Sequence, residues 1–126
     1  MKKKIIETTL APKPLGPYSQ AIKSGNMLFV SGQIPIDPQT GTIINDSIEL
    51  ETKQVMENLG AVITEAGLKF NDVVKCSIFL KDMNQFSKIN EIYATYFDNN
   101  PPCRETVEVS RLPKNVNIEI SCIAIY

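Results

Sequence analysis

The chain has 126 residues, 43% of them hydrophobic, and a formal net charge of −1. That suits one globular domain over residues 1–126, and excludes a disordered segment or a general nucleic-acid binder, which carries a basic balance. With no histidine, Ser-His-Asp and Cys-His catalysis and histidine-containing metal sites are removed, and no metal centre is expected.

Lys2-Lys3-Lys4 is followed by no apolar signal-peptide core, and no apolar run approaches the ~18 residues of a membrane span, so a cytoplasmic protein is expected. Lys3–Glu7 reads as a short first strand. Ala11–Pro17, with three prolines and Gly16, reads as an irregular loop. Tyr18 at its exit is either an anchor for that loop or a ligand. Ser19–Ser24 and Met27–Ser31 are strands joined by Gly25-Asn26, a two-residue hairpin signal in reverse of its usual order. Met27, Phe29 and Ser31 share one face of the second strand, and Leu28 and Val30 the other. Both faces are apolar, which predicts a strand covered on two sides. Ser31-Gly32 is expected to end it, with the glycine marking a bulge, a turn or a close backbone approach. Asp37–Gly41 is a turn.

Ser47–Ala66 is predicted as the first helix, with Ser47 as N-cap and Val55, Met56, Leu59, Val62 and Ile63 in its apolar stripe. Gly67 ends it. Asp72–Lys81 is a strand with Val74, Cys76, Ile78 and Leu80 on one face, and Val73, Lys75, Ser77 and Phe79 on the other. Met83–Phe97 is the second helix, its buried side set by Phe86, Ile89, Tyr93 and Phe97. Asn90 falls on that same side. A buried amide needs partners, which a loop backbone or a ligand could supply. Asn99-Asn100-Pro101-Pro102 stops the helix. Cys76, Cys103 and Cys122 are odd in number and widely spaced, so they make no disulfide framework.

The closing stretch Pro101–Ser121 carries the least ordinary charges. Arg104, Thr106 and Glu108 share one face of a strand, and Val107 and Val109 are expected to take the core face. In the last strand Ile118, Ile120, Cys122 and Ala124 form the natural core face. The opposite face reads Asn117, Glu119, Ser121, Ile123 and Ile125, which is neither a solvent face nor a core face. Its isoleucines predict a cover, which would leave Glu119 partly desolvated beside them. Arg104 suits that carboxylate through its planar fork of donors. A simple hairpin around Arg111–Val116 would set Glu119 opposite Glu108, with Arg104 ~13 Å further along, and would oppose two carboxylates. The last strand is therefore expected inside the sheet and the Arg104 strand at its edge. The fold class is α+β, a mixed, mostly antiparallel sheet with two helices on one face. Phe29, Phe79, Ile123 and Ile125 stay uncovered on the other face, which predicts a subunit interface.

PPCRETVEVSRLPKNVNIEI, together with GPYSQA at Gly16–Ala21 and FVSGQIPIDPQTG at Phe29–Gly41, closely resembles the RidA (YjgF) family of reactive-intermediate deaminases. The resemblance runs over nearly the whole chain. It implies chorismate-mutase-like subunits in a homotrimer, with sites in the clefts between subunits. It also implies cofactor-free hydrolysis of 2-imino acids and their enamines (2-iminobutanoate, 2-iminopropanoate, 2-aminoacrylate) to 2-oxo acids and ammonia, detoxifying the products of pyridoxal-phosphate enzymes. By position, Arg104 would hold the substrate carboxylate and Glu119 the water or imine nitrogen. Tyr18, Ser31, Gly32, Asn90 and Thr106 would line the pocket. Thr106 stands where many relatives have cysteine, so only its backbone could take over a role there. The resemblance also places the last strand inside the sheet, so Arg104 and Glu119 are expected to come from different chains. Two other classes remain. One is a non-catalytic regulator that binds 2-oxo acids. The other is an RNA-directed translation inhibitor or ribonuclease, which the charge balance and missing histidine disfavour.

Overall fold

The computed structural model describes residues 2–126. Six strands form one sheet in the order β1-β2-β3-β6-β4-β5. They are β1 Lys4–Ile6, β2 Ala21–Ser24, β3 Met27–Gln33, β4 Val73–Leu80, β5 Cys103–Glu108 and β6 Ile118–Ile125. Neighbours pair antiparallel except β4 and β5, which are parallel. A parallel pair needs a crossover, and α2, Phe86–Ala94, supplies it. α1, Ile48–Glu65, supplies most of the remaining cover. Among the described residues no helix is long and apolar enough to cross a membrane.

α1 starts where expected: Ser47 is extended and its side chain accepts from Leu50 N at 3.1 Å. It ends at Gly67, whose φ of +83 is left-handed. Its stripe of Val55, Met56, Leu59, Val62 and Ile63 is buried with Leu28, Ile78, Leu80, Ile118 and Ile120 from the sheet. Each such side chain contributes roughly 1.5–3 kcal/mol on removal from water. β6 lies between β3 and β4, and β5 is the edge strand, as its mixed pattern predicts.

Four details differ from the sequence expectation. β3 does not stop at Ser31-Gly32 but continues to Gln33 through a bulge: Val30 pairs with Cys122 and Gln33 with Ile120. β4 also has a register shift between Val73 and Lys75. Val73 is therefore buried and Val74 44% exposed, the reverse of simple alternation. In β5, Cys76 pairs with Arg104 and Ile78 with Thr106, so Arg104 and Thr106 turn toward the helices. Val107 pairs with Phe79 and is exposed, and Val109 is only half-buried. These two valines do not face the core, because at a sheet edge the helix side goes to whichever set the crossover register puts beneath α2. Phe86, expected inside, is exposed at the start of α2. A 3₁₀ turn at Met83–Gln85 carries it to the sheet edge.

Candidate active site

The bulge in β3 brings the first two site residues together. Glu119 of β6 sits opposite Phe79, on the face without helices. Its carboxylate lies directly over Gly32, where an added Cβ would meet Glu119 Cδ at 2.8 Å. Glycine stands there because the acid needs that space. Burial pushes the Glu119 carboxyl above its ordinary range, and no ion pair offsets it. Among the described residues the one ion pair is Lys75–Glu105 at 3.2 Å, further out on the same face. There Glu105 also accepts from Ser77, which with Lys75 lowers its pKa.

Ser31 ties the bulge down. Its Oγ donates to Ser19 O at 2.6 Å and its N donates to Gln20 O at 2.9 Å, so its side chain is committed to the backbone. Gln20, buried, secures the proline-rich loop: Oε1 accepts from Thr8 N and Nε2 donates to the carbonyls of Thr8, Ala11 and Pro12. That loop presents Tyr18, whose hydroxyl accepts from Leu15 N at 3.1 Å while its ring stays about half exposed. Tyr18 is thus an anchor and also a wall of an open cleft of ≈ 860 Å³ that it shares with Lys13 and Lys114.

The other half of the site lies across the sheet. Arg104 Cζ is 4.9 Å from the Tyr93 ring centroid and 5.6 Å from that of Phe86, so two aromatic faces hold the guanidinium by cation–π attraction. Tyr93 in turn packs on Phe97 at 4.8 Å. Burial raises the Cys76 thiol and the Tyr93 phenol, so both are neutral beside the cation. Buried Thr106 Oγ1, Tyr93 OH and Gln85 Oε1 have no hydrogen-bond partner among the described residues. Asn90 is half-buried on the same helix and ties down no loop backbone among the described residues. Phe86 and Tyr93 as the cradle of Arg104 escape a sequence reading, although the place of Tyr93 on the buried side of α2 was a usable signal.

The structure therefore brings Gly32 and Glu119 together on one face and Arg104 and Thr106 together on the other. Arg104 and Glu119 do not pair within a chain, because the sheet separates them. No group of three or more acidic or sulfur ligands that could hold a metal occurs among the described residues.

The family model described as Endoribonuclease L-PSP matches residues 8–126. The chain belongs to the RidA (YjgF) family. One RidA relative, a RutC family protein of Pyrococcus horikoshii, is 58% identical over 122 residues, 97% of each chain. Another, the mouse 2-iminobutanoate/2-iminopropanoate deaminase, is 42% identical over 123 residues, 98% of this chain and 91% of its own. The crystal structure of E. coli TdcF with bound serine superposes with a TM-score of 0.94 at 44% identity and covers 98% of each chain. The RidA fold, a single α+β unit with one mixed sheet, is therefore shared, and named reactive-intermediate deaminases stand among the relatives.

Proposed function

We propose that this protein is a cofactor-independent deaminase of small 2-imino acids and their enamine tautomers. It would act as a homotrimer whose sites each take Arg104 from one subunit and Glu119 from the next. One observation carries this reading: Arg104 and Glu119 lie on opposite faces of the same sheet, each without an oppositely charged partner among the described residues. Two uncommitted charges of opposite sign that cannot meet within a subunit are matched by meeting across a boundary. The uncovered face with Phe29, Ile123 and Ile125 offers the apolar area for such contact. A head-to-tail contact that closes into a ring repeats the same site at every boundary.

The chemistry needs little from the protein. An iminium carbon is already electrophilic, so a positioned water suffices as nucleophile. Arg104 holds the substrate carboxylate, each charge-assisted bond contributing ~1.5–3 kcal/mol. Glu119, its carboxyl raised by burial, accepts a proton as water adds to the imine carbon. It returns that proton to the nitrogen of the resulting carbinolamine, and takes up the hydroxyl proton as the C–N bond breaks and the C=O bond forms. The products are the 2-oxo acid and ammonia. A positioned acid/base of this kind contributes ~10²–10⁴ in rate. An enamine substrate is protonated at its terminal carbon first, which gives the same imine.

The test generates 2-aminoacrylate or 2-iminobutanoate in situ with a dehydratase and traps the imine with semicarbazide. This protein is expected to lower semicarbazone and to speed 2-oxo acid and ammonia release. A protein that binds 2-oxobutanoate but leaves both rates unchanged is a regulator, not a deaminase. RNA retention that falls steeply with salt would instead favour the nucleic-acid reading.

A further inference from the structure

Two of the most deeply buried polar side chains of α1 have no part in the site as described. Glu51 and Asn58 are each 1% exposed. Seven residues apart, they lie two turns along the same side of the helix. For folding alone an apolar residue would serve at the Glu51 position, since a buried carboxylate without a cation is costly. No cation pairs with Glu51 among the described residues. Its oxygens instead accept from Asn117 N at 2.8 Å and Asn117 Nδ2 at 2.7 Å. Asn58 Nδ2 donates to the carbonyls of Ile34 and Ile36, both at 3.0 Å, and its Oδ1 accepts from Gln54 at 2.9 Å.

The two anchored segments flank the pocket. Asn117 lies two residues before Glu119, and Ile34 two residues after Gly32. Both lie just outside the strands that carry those residues. The turn leading to Asn117 is tight: Lys114 and Asn115 have φ of 58 and 57, left-handed values that asparagine tolerates and that are uncommon for lysine. Surrounding structure must hold such a turn, and Glu51 grips its exit. The clearance that matters is small, because the Glu119 carboxylate rests against Gly32 without room for a methyl group.

We infer that Glu51 and Asn58 are positioning residues: α1 sets where the Glu119 carboxylate meets the Gly32 bulge by tethering Asn117 and Ile34. This rests on the reading of Glu119 as the proton-transfer group. The Arg104 half of the site does not depend on these tethers, so the two halves respond differently to their loss.

The experiment compares Glu51→Ala, Glu51→Gln and Asn117→Ala in the full-length protein. Glu51→Ala is expected to lower kcat about tenfold, since small misplacements of a reacting group carry losses of that order. KM and affinity for 2-oxobutanoate should stay within about twofold, because Arg104 still grips the carboxylate. Glu51→Gln, in which the Asn117 amide can reverse to match, restores kcat. Carboxyl ¹³C NMR in an Arg104→Ala background, which removes any guanidinium facing the carboxylate, supplies a readout besides activity: Glu119 should titrate above the ordinary carboxylate range with Glu51 retained and in Glu51→Gln, and lower in Glu51→Ala. If Glu51→Ala does not fold, Asn117→Ala decides, with the same direction and a loss of about threefold. Equal losses in kcat and affinity, or unchanged kcat with unchanged Glu119 titration, would overturn the inference. A parent protein that hydrolyses no imine would defeat the functional reading, yet the Glu119 titration would still decide whether Glu51 places that carboxylate.

Discussion

On the helix-covered face of the sheet, Ile78, Leu80, Ile118 and Ile120 are completely buried, and the polar atoms among them are few. On the other face the same sheet carries Phe29, Phe79, Ile123 and Ile125, all at least partly exposed, with Glu119 among them. The covered face accounts for why the subunit folds. The open face is too apolar for solvent and too polar for a core. The contrast recurs in the charges. Glu105 on the open face is satisfied by Ser77 and Lys75, while Arg104 and Glu119 have no counter-ion among the described residues. These two residues are the ones to which the proposed chemistry gives roles.

Breaking the covered face should have the largest effect. Ile78→Ala removes a fully buried side chain and is expected to destabilise the subunit by ~2–5 kcal/mol in urea denaturation. Phe29→Asp, on the open face, should leave the far-UV circular dichroism intact and instead shift the sedimentation toward monomer, because in the proposed homotrimer the charge would fall in a subunit contact and not in a core. Equal unfolding by both would erase the distinction between the faces.

Next in size is Arg104→Lys. Lysine keeps the charge but loses the planar fork and its stacking on Tyr93 and Phe86. A fall in kcat/KM of about 10²-fold is expected with folding unchanged, as for the loss of charge-assisted bonds to a carboxylate. Full activity would make Arg104 structural. Gly32→Ala should follow, with a loss of about tenfold in kcat, because the new methyl displaces the Glu119 carboxylate and leaves the fold intact. Normal turnover would show that the tight Gly32–Glu119 contact is incidental.

The smallest effect concerns pH and stability. Burial raises the Glu119 pKa in the fold, so the folded chain holds that proton more tightly than the unfolded chain. The associated stability is fully present below the unfolded value and is lost as pH rises through the folded one. Against an Arg104→Ala background, which removes any neighbouring guanidinium, Glu119→Gln should therefore stabilise the protein at neutral pH. The gain should vanish at a pH below the ordinary value of 4.5. A gain that persists in acid would point to packing and not to charge.

Much of this architecture is legible in the chain itself. All six strands are anticipated in the sequence, and the apolar character of both faces of Ile118–Ile125 places β6 inside the sheet. Alternation separates two faces, however, without saying which one the helices cover. For that reason Val107 and Val109 look like core residues although the crossover puts Arg104 and Thr106 beneath α2 instead. The shift between Val73 and Lys75 exchanges the faces of Val73 and Val74, and a single extra residue leaves no mark in composition. Glu51 is hidden for another reason. A glutamate in the first turn of a helix reads as a solvated partner of the helix dipole, and only the returning chain at Asn117 shows that it is buried. Glu119 and Arg104 are recognisable as a pair of charges, but their placement on opposite faces depends on strand order, which no local pattern carries.

A composite site would draw Arg104 and Glu119 from different chains. The direct measurement is complementation: inactive Arg104→Ala and inactive Glu119→Ala proteins are unfolded, mixed in equal amounts, refolded together and assayed for imine hydrolysis. In a cyclic assembly with random mixing, roughly a quarter of the boundaries would join an intact Arg104 to an intact Glu119. The expected result is recovery of roughly that fraction of parent activity. Mixed oligomers confirmed by mass, yet with no activity above that of the separate variants, would contradict it and return both residues to a single chain.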